Sequence, residues 1–141
     1  MYYFDSAYVA KCYLNDADSR RVRDLVRVPV PPYSSVLCIA EVSCAIHRGV
    51  NEKSLSRRQA AELAALFQAE VENGVWTLVP ASEQLFWQVH GVLRTTPARV
   101  FLRAGDALHL ASARNAGFSE LWSNDRHLLE AAHFGLRGRS A

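Results

Sequence analysis

MYYFDSAYVAK, residues 1–11, decides the fold class. The aromatic, β-prone MYYF runs straight into Asp5-Ser6, and the following AYVAKCYLN suits a helix. A strand therefore feeds a helix, with an acid at the junction. The same grammar returns twice. LRAG delivers the chain to Asp106 at the start of the predicted helix DALHLASARNAG, and the strand-like ELWS meets Asn124-Asp125 before a last helix, RHLLEAAHF, stopped by Gly135.

Between these junctions the pattern continues to alternate. A helix is predicted from about Asp18 to Arg27, where Val22, Leu25 and Val26 recur at helical spacing. Tyr33 opens a short extended piece, and Ser34-Ser35 are placed to cap a helix that carries Glu41 and stops at Gly49. An amphipathic helix follows from Ser54 to Asn73, then VWTLVP as a strand, then a helix begun by Ser82. Regular alternation with short connections implies an α/β fold: a mainly parallel sheet covered by helices on both faces. In such sheets ligands bind beyond the carboxyl ends of the strands.

The chain has 141 residues, 50% of them hydrophobic, enough for one adequate core, and it is read as a single domain over 1–141. No window approaches the roughly 20 uninterrupted apolar residues of a membrane span. Neither a basic leader nor a cleavage-site pattern precedes Asp5, so the expected location is the cytoplasm. Cys12, Cys38 and Cys44 lack CxxC spacing and read as small buried hydrophobes. A net charge of +2 does not by itself announce a nucleic-acid binder. Arginine nevertheless supplies 14 of the 16 basic residues, clustered at Arg20–Arg27 and again at Arg94, Arg99 and Arg103.

The acids carry the chemistry. Asp5 and Asp125 each follow a strand-like run and should lie at one edge of the sheet. Asp106 begins a helix and Glu41 projects from one, so both can lean over that edge. Taken singly, Asp106 and Asp125 also read as helix caps, and Glu41 as a solvent-facing side chain. Asp5 ends an apolar strand, where an unpartnered charge is costly. Gathered carboxylates repel one another unless a cation relieves them, and an oxygen-only donor set suits Mg²⁺ or Mn²⁺. Metal-assisted phosphodiester hydrolysis follows from such a site.

Four blocks, FDSAYVAKCYL, SSVLCIAEVSCAI, LRAGDALHLASARNAG and SNDRHLLEAAHFGL, resemble the acid-bearing blocks of the PIN-domain family, in order and over nearly the whole chain. The likeness is nearest to VapC-type toxins of toxin–antitoxin modules. It implies a three-layer α/β/α PIN-like domain with a central, mainly parallel sheet. It also implies a Mg²⁺- or Mn²⁺-dependent endoribonuclease acting on RNA, with Asp5, Glu41, Asp106 and Asp125 around the metal. Ser6, Ser123 and Asn124 are then polar supports of the site. A cognate VapB-like antitoxin and a homodimer come from the same source. The tail GLRGRSA departs from the pattern by lacking an apolar closing strand.

His109, three residues after Asp106, permits a mixed carboxylate–imidazole site but is read as a packed or hydrogen-bonded histidine. No HExxH, glycine-rich phosphate loop or GxSxG elbow occurs. An aspartyl phosphotransferase of the haloacid-dehalogenase kind is opposed by Ala7, which stands where that family has a second aspartate. Arg99 and Arg103, just before Asp106, are the candidate RNA backbone contacts. Trp76, Trp87 and Trp122 read as core. The alternatives are a PIN-like protein without catalysis that acts as a binding or regulatory partner, and a housekeeping RNA-processing or DNA nuclease.

Overall fold

A computed structural model describes residues 1–27, 29–129 and 134–141. Helix α1 (Ser6–Lys11) and α2 (Ser19–Val26) lead to strand β1 (Tyr33–Ser35), followed by α3 (Cys38–Asn51) and α4 (Arg57–Glu72). Then come β2 (Thr77–Val79), α5 (Glu83–Leu93), α6 (Ala104–Asn115), β3 (Glu120–Trp122), α7 (Arg126–Leu129) and β4 (Arg137–Arg139).

The opening MYYF forms the middle of the sheet. Tyr33 N donates to Tyr2 O at 2.9 Å and Phe4 N to Tyr33 O at 2.8 Å, while Trp122 N donates to Tyr3 O at 2.9 Å. The Tyr3–Phe4 segment thus joins the parallel pair β1–β2 on one side to the parallel pair β3–β4 on the other. Successive residues of a strand point to opposite faces. Tyr3 accordingly enters a core with Leu85, Leu110 and Phe134, whereas Phe4 enters a second core with Val9, Val42, Phe67 and Trp76. Helices α5, α6 and α7 supply the first core and α1, α2, α3 and α4 the second, which is the three-layer α/β/α arrangement expected from the sequence.

Several local expectations change. Ser34 and Ser35 lie in β1, and α3 begins only at Cys38; Ser34 Oγ donates to Phe4 O at 2.9 Å and so ties two strands together. Gly49 does not stop α3. A Cβ there would lie 2.7 Å from Leu55 Cδ1, so glycine permits the chain leaving α3 to pack back against it. Asp106 occupies the third position of α6 rather than its first.

The closing strand is present. Arg137–Arg139 pair in parallel with Glu120–Trp122, and Gly138 admits Leu129, whose Cα would sit 2.7 Å from an added Cβ. Backbone pairing builds this edge without an apolar pattern, and Glu120 faces Arg139 at 3.6 Å beside it. Cys44 is exposed rather than buried. Trp87 is 63% exposed, because it stands on the outer face of α5, where its indole N–H donates to Glu83. The last predicted helix is described as Arg126–Leu129; its continuation through 130–133 lies outside the described residues. Among the described residues no helix is long and apolar enough to cross a membrane.

Candidate active site

Asp5 follows the central strand segment and caps α1: its Oδ1 accepts from Tyr8 N at 2.8 Å. Its other oxygen accepts a short hydrogen bond from the Ser123 hydroxyl, which itself accepts from Asp125 N at 2.9 Å. Ser123, immediately past β3, therefore couples the first and last acids. Burial pushes the Asp5 carboxyl up from its ordinary 3.8 to about 6, against the opposing pull of the Ser123 and Tyr8 hydrogen bonds and the nearby His109. Asp125 adds to the rise by like-charge repulsion.

Asp106 reaches the same edge from the first turn of α6, where its Oδ2 accepts from Arg103 N at 3.1 Å. The guanidinium of Arg103 then bridges two acids, with Nε 3.3 Å from Asp106 Oδ2 and Nη2 3.0 Å from Asp125 Oδ2. Asp125 Oδ1 accepts from His127 N at 2.8 Å, a cap on α7. Asp106 and Asp125 thus do cap helices, as the simpler reading of each held, and they also share a cation.

Glu41 arrives differently. Its side chain is 44% exposed on α3, yet Oε1 lies 3.1 Å from His109 Nε2. Its other oxygen lies against the start of α6, 3.5 Å from where a Gly105 Cβ would be. Burial raises its pKa, but the His109 hydrogen bond and charge, the Ser6 hydroxyl and the Arg103 charge outweigh this and hold it below the ordinary value. Ser6 Oγ is also 2.7 Å from His109 Nε2.

The structure therefore brings Asp5, Ser123, Asp125, Asp106 and Arg103 into one chain of contacts, and Glu41, Ser6 and His109 into a second that adjoins it through Gly105 and Asp5. Asn124 is turned away: its Oδ1 accepts from Tyr8 OH at 2.7 Å and its Nδ2 donates to Asp18 at 3.2 Å. Arg99 is exposed, and among the described residues it makes no ion pair. His109 sits in the buried wall with Nδ1 3.1 Å from Tyr3 OH, as a packed and hydrogen-bonded histidine.

The model of the PIN domain matches residues 2–134. The chain belongs to the PIN-domain family. No curated protein sequence is significantly similar to it. Among solved structures, this PIN domain resembles the Mycobacterium tuberculosis toxin VapC20, described as cleaving the sarcin–ricin loop. Sequence identity is 18% and the TM-score 0.74, over 97% of this chain and 99% of that one. At that identity the likeness speaks for the fold.

Proposed function

We propose that this PIN domain is a metal-dependent endoribonuclease and the toxin of a toxin–antitoxin pair, with Asp5, Glu41, Asp106 and Asp125 as the residues that hold a divalent cation. The observation that carries the reading is the Arg103 bridge between Asp106 and Asp125, 3.3 and 3.0 Å from the two carboxylates beside the buried Asp5. Acids otherwise disperse from one another; here they converge on positive charge. Among the described residues no three His, Cys, Asp or Glu side chains already form a direct cage. Their chemistry still fits a hard cation, since every donor is a carboxylate oxygen and movement of Arg103 frees two of them. When bound, Mg²⁺ or Mn²⁺ would supply charge neutralisation at the scissile phosphate and an acidified water.

The protein's own groups do the rest. Ser123 and the Tyr8 amide fix Asp5, and Ser6 with His109 fixes Glu41. Arg103, 64% exposed at its side chain, can turn its guanidinium from the acids to a phosphate oxygen, with Arg99 as a further backbone contact. A groove of about 480 Å³ runs from Ser6, Glu41 and Arg103 between α1 and α3, with Lys11 and Arg48 as its further basic residues and Asp16 and Glu52 as further acids. A cognate VapB-like antitoxin, a homodimer and a cytoplasmic location complete the proposal.

Purified protein is expected to cut RNA with Mg²⁺ or Mn²⁺ and to stop on addition of EDTA. Expressed alone, the wild type should arrest growth while Asp106→Asn does not. Cleavage that persists in EDTA, or equal toxicity of the two proteins, would count against the proposal.

A further inference from the structure

His109 touches the acid cluster through Glu41, and Tyr3 stands behind it, so that the geometry gives the pair a task there. Tyr3 is fully buried at the centre of the sheet and His109 is 1% exposed on α6. A buried phenol and imidazole both need partners. The phenol oxygen lies 3.1 Å from His109 Nδ1. His109 Nε2 faces outward, 2.7 Å from Ser6 Oγ and 3.1 Å from Glu41 Oε1.

The contact with Glu41 decides where the ring carries its proton. A carboxylate has no proton to give, so a bare Nε2 would set its lone pair against Glu41. With the proton on Nε2, Nδ1 of the neutral ring is an acceptor, and the Tyr3 hydroxyl is there to donate to it. A doubly protonated ring also presents Nε2–H to Glu41. In that form Nδ1–H donates to the Tyr3 oxygen; in the neutral ring the Tyr3 hydroxyl, as donor to Nδ1, favours the tautomer whose Nε2–H faces the acids.

We infer that Tyr3 and His109 are positioning residues: the Tyr3 hydroxyl sets the His109 ring so that Nε2–H, together with Ser6, holds the half-exposed Glu41 carboxylate against the start of α6. The inference rests on Glu41 and Asp106 being cation ligands. Glu41 needs such a hold more than the other acids do. Asp5, Asp106 and Asp125 are each fixed by a backbone N–H within three residues, whereas Glu41's partner is 68 residues away. Groups that support a ligand in this manner typically change metal affinity about 10–100-fold when removed.

The test is Mn²⁺ alone, titrated into full-length protein and followed by electron paramagnetic resonance, with ¹⁵N NMR of the His109 ring. Tyr3→Phe is expected to weaken Mn²⁺ binding about tenfold and to shift protons from Nε2 to Nδ1 in part of the population. His109→Phe should approach the loss seen for Glu41→Gln, roughly 10–100-fold, and His109→Gln, which keeps a donor, should recover most of it. Asp106→Asn is the control for the site. If Asp106→Asn abolishes binding while folded Tyr3→Phe and His109→Phe bind as the wild type does, the positioning role is wrong and the cation site stands. If Asp106→Asn itself binds unchanged, the site is wrong and the inference falls with it. A wild-type ring protonated only on Nδ1 would also overturn it.

Discussion

The two halves of the acid cluster are built by opposite means. Asp5 is 2% exposed, placed by the strand-to-helix junction and pinned by Tyr8 N and Ser123. Glu41 is 44% exposed on an open helix face and is pinned by His109 and Ser6 from other elements. Burial dominates the first and raises its pKa; hydrogen bonds and charge dominate the second and lower it. The fold thus bears a cost at Asp5 and gains a little at Glu41. A buried unneutralised carboxylate is what a site reserves for a cation, and a half-exposed one needs a tether instead.

The largest way to break this contrast is Asp5→Asn. The rise from 3.8 to about 6, at about 1.4 kcal/mol per pKa unit, puts the penalty of the charged form on the order of 3 kcal/mol. Its sign follows from proton binding. The folded carboxyl holds its proton more tightly than the unfolded one, so the penalty is full above pH 6, shrinks between pH 6 and 4, and is gone below. In EDTA, urea unfolding of Asp5→Asn should show about 1–3 kcal/mol more stability than the wild type at pH 8 and little difference near pH 4. Equal stability at pH 8 would show that Asp5 is already neutralised.

Arg103 tests how the acids share charge. At saturating Mn²⁺, Arg103→Ala is expected to slow RNA cleavage about tenfold, on the scale of one charge-assisted hydrogen bond. Its Mn²⁺ affinity should hold or tighten, because a competing cation is gone. Weaker Mn²⁺ binding would mean that Arg103 organises the acids rather than exchanging with the ion.

On stability, Glu41→Gln gives the smallest effect, with the opposite sign to Asp5→Asn. A depressed pKa contributes stability above the unfolded value of 4.5 that is lost as pH falls through the folded one. The variant should therefore be slightly less stable than the wild type at pH 7, and the difference should close on acidification. Stabilisation by Glu41→Gln at neutral pH would break the comparison between the halves.

The same division separates what the sequence discloses from what it hides. Asp5 and Asp125 were legible because a strand end followed by a helix start fixes where an acid lies, whatever packs around it. Glu41 was legible only by resemblance, since its place depends on how α3 meets α6, through His109 and Gly105. Arg103 reads from the sequence as an RNA backbone contact, and its ion pair with Asp106 was hidden because a spacing of three allows that contact without specifying it. Tyr3 looked like any strand aromatic, although a hydroxyl in a fully buried strand had to find a partner. Asn124 followed Ser123 in sequence, but the turn points its amide to Tyr8 and Asp18 instead. The closing strand was hidden because parallel pairing needs backbone groups, not the apolar side chains that Arg137 and Arg139 lack.

The most direct measurement is the rate of RNA cleavage by wild type and Asp5→Asn across a Mn²⁺ titration. Wild-type cleavage should rise with Mn²⁺ and saturate. The folded Asp5→Asn should lose at least the 10–100-fold or so typical of groups that merely support a ligand. Undiminished cleavage by Asp5→Asn, or cleavage by the wild type without any divalent ion, would contradict the account.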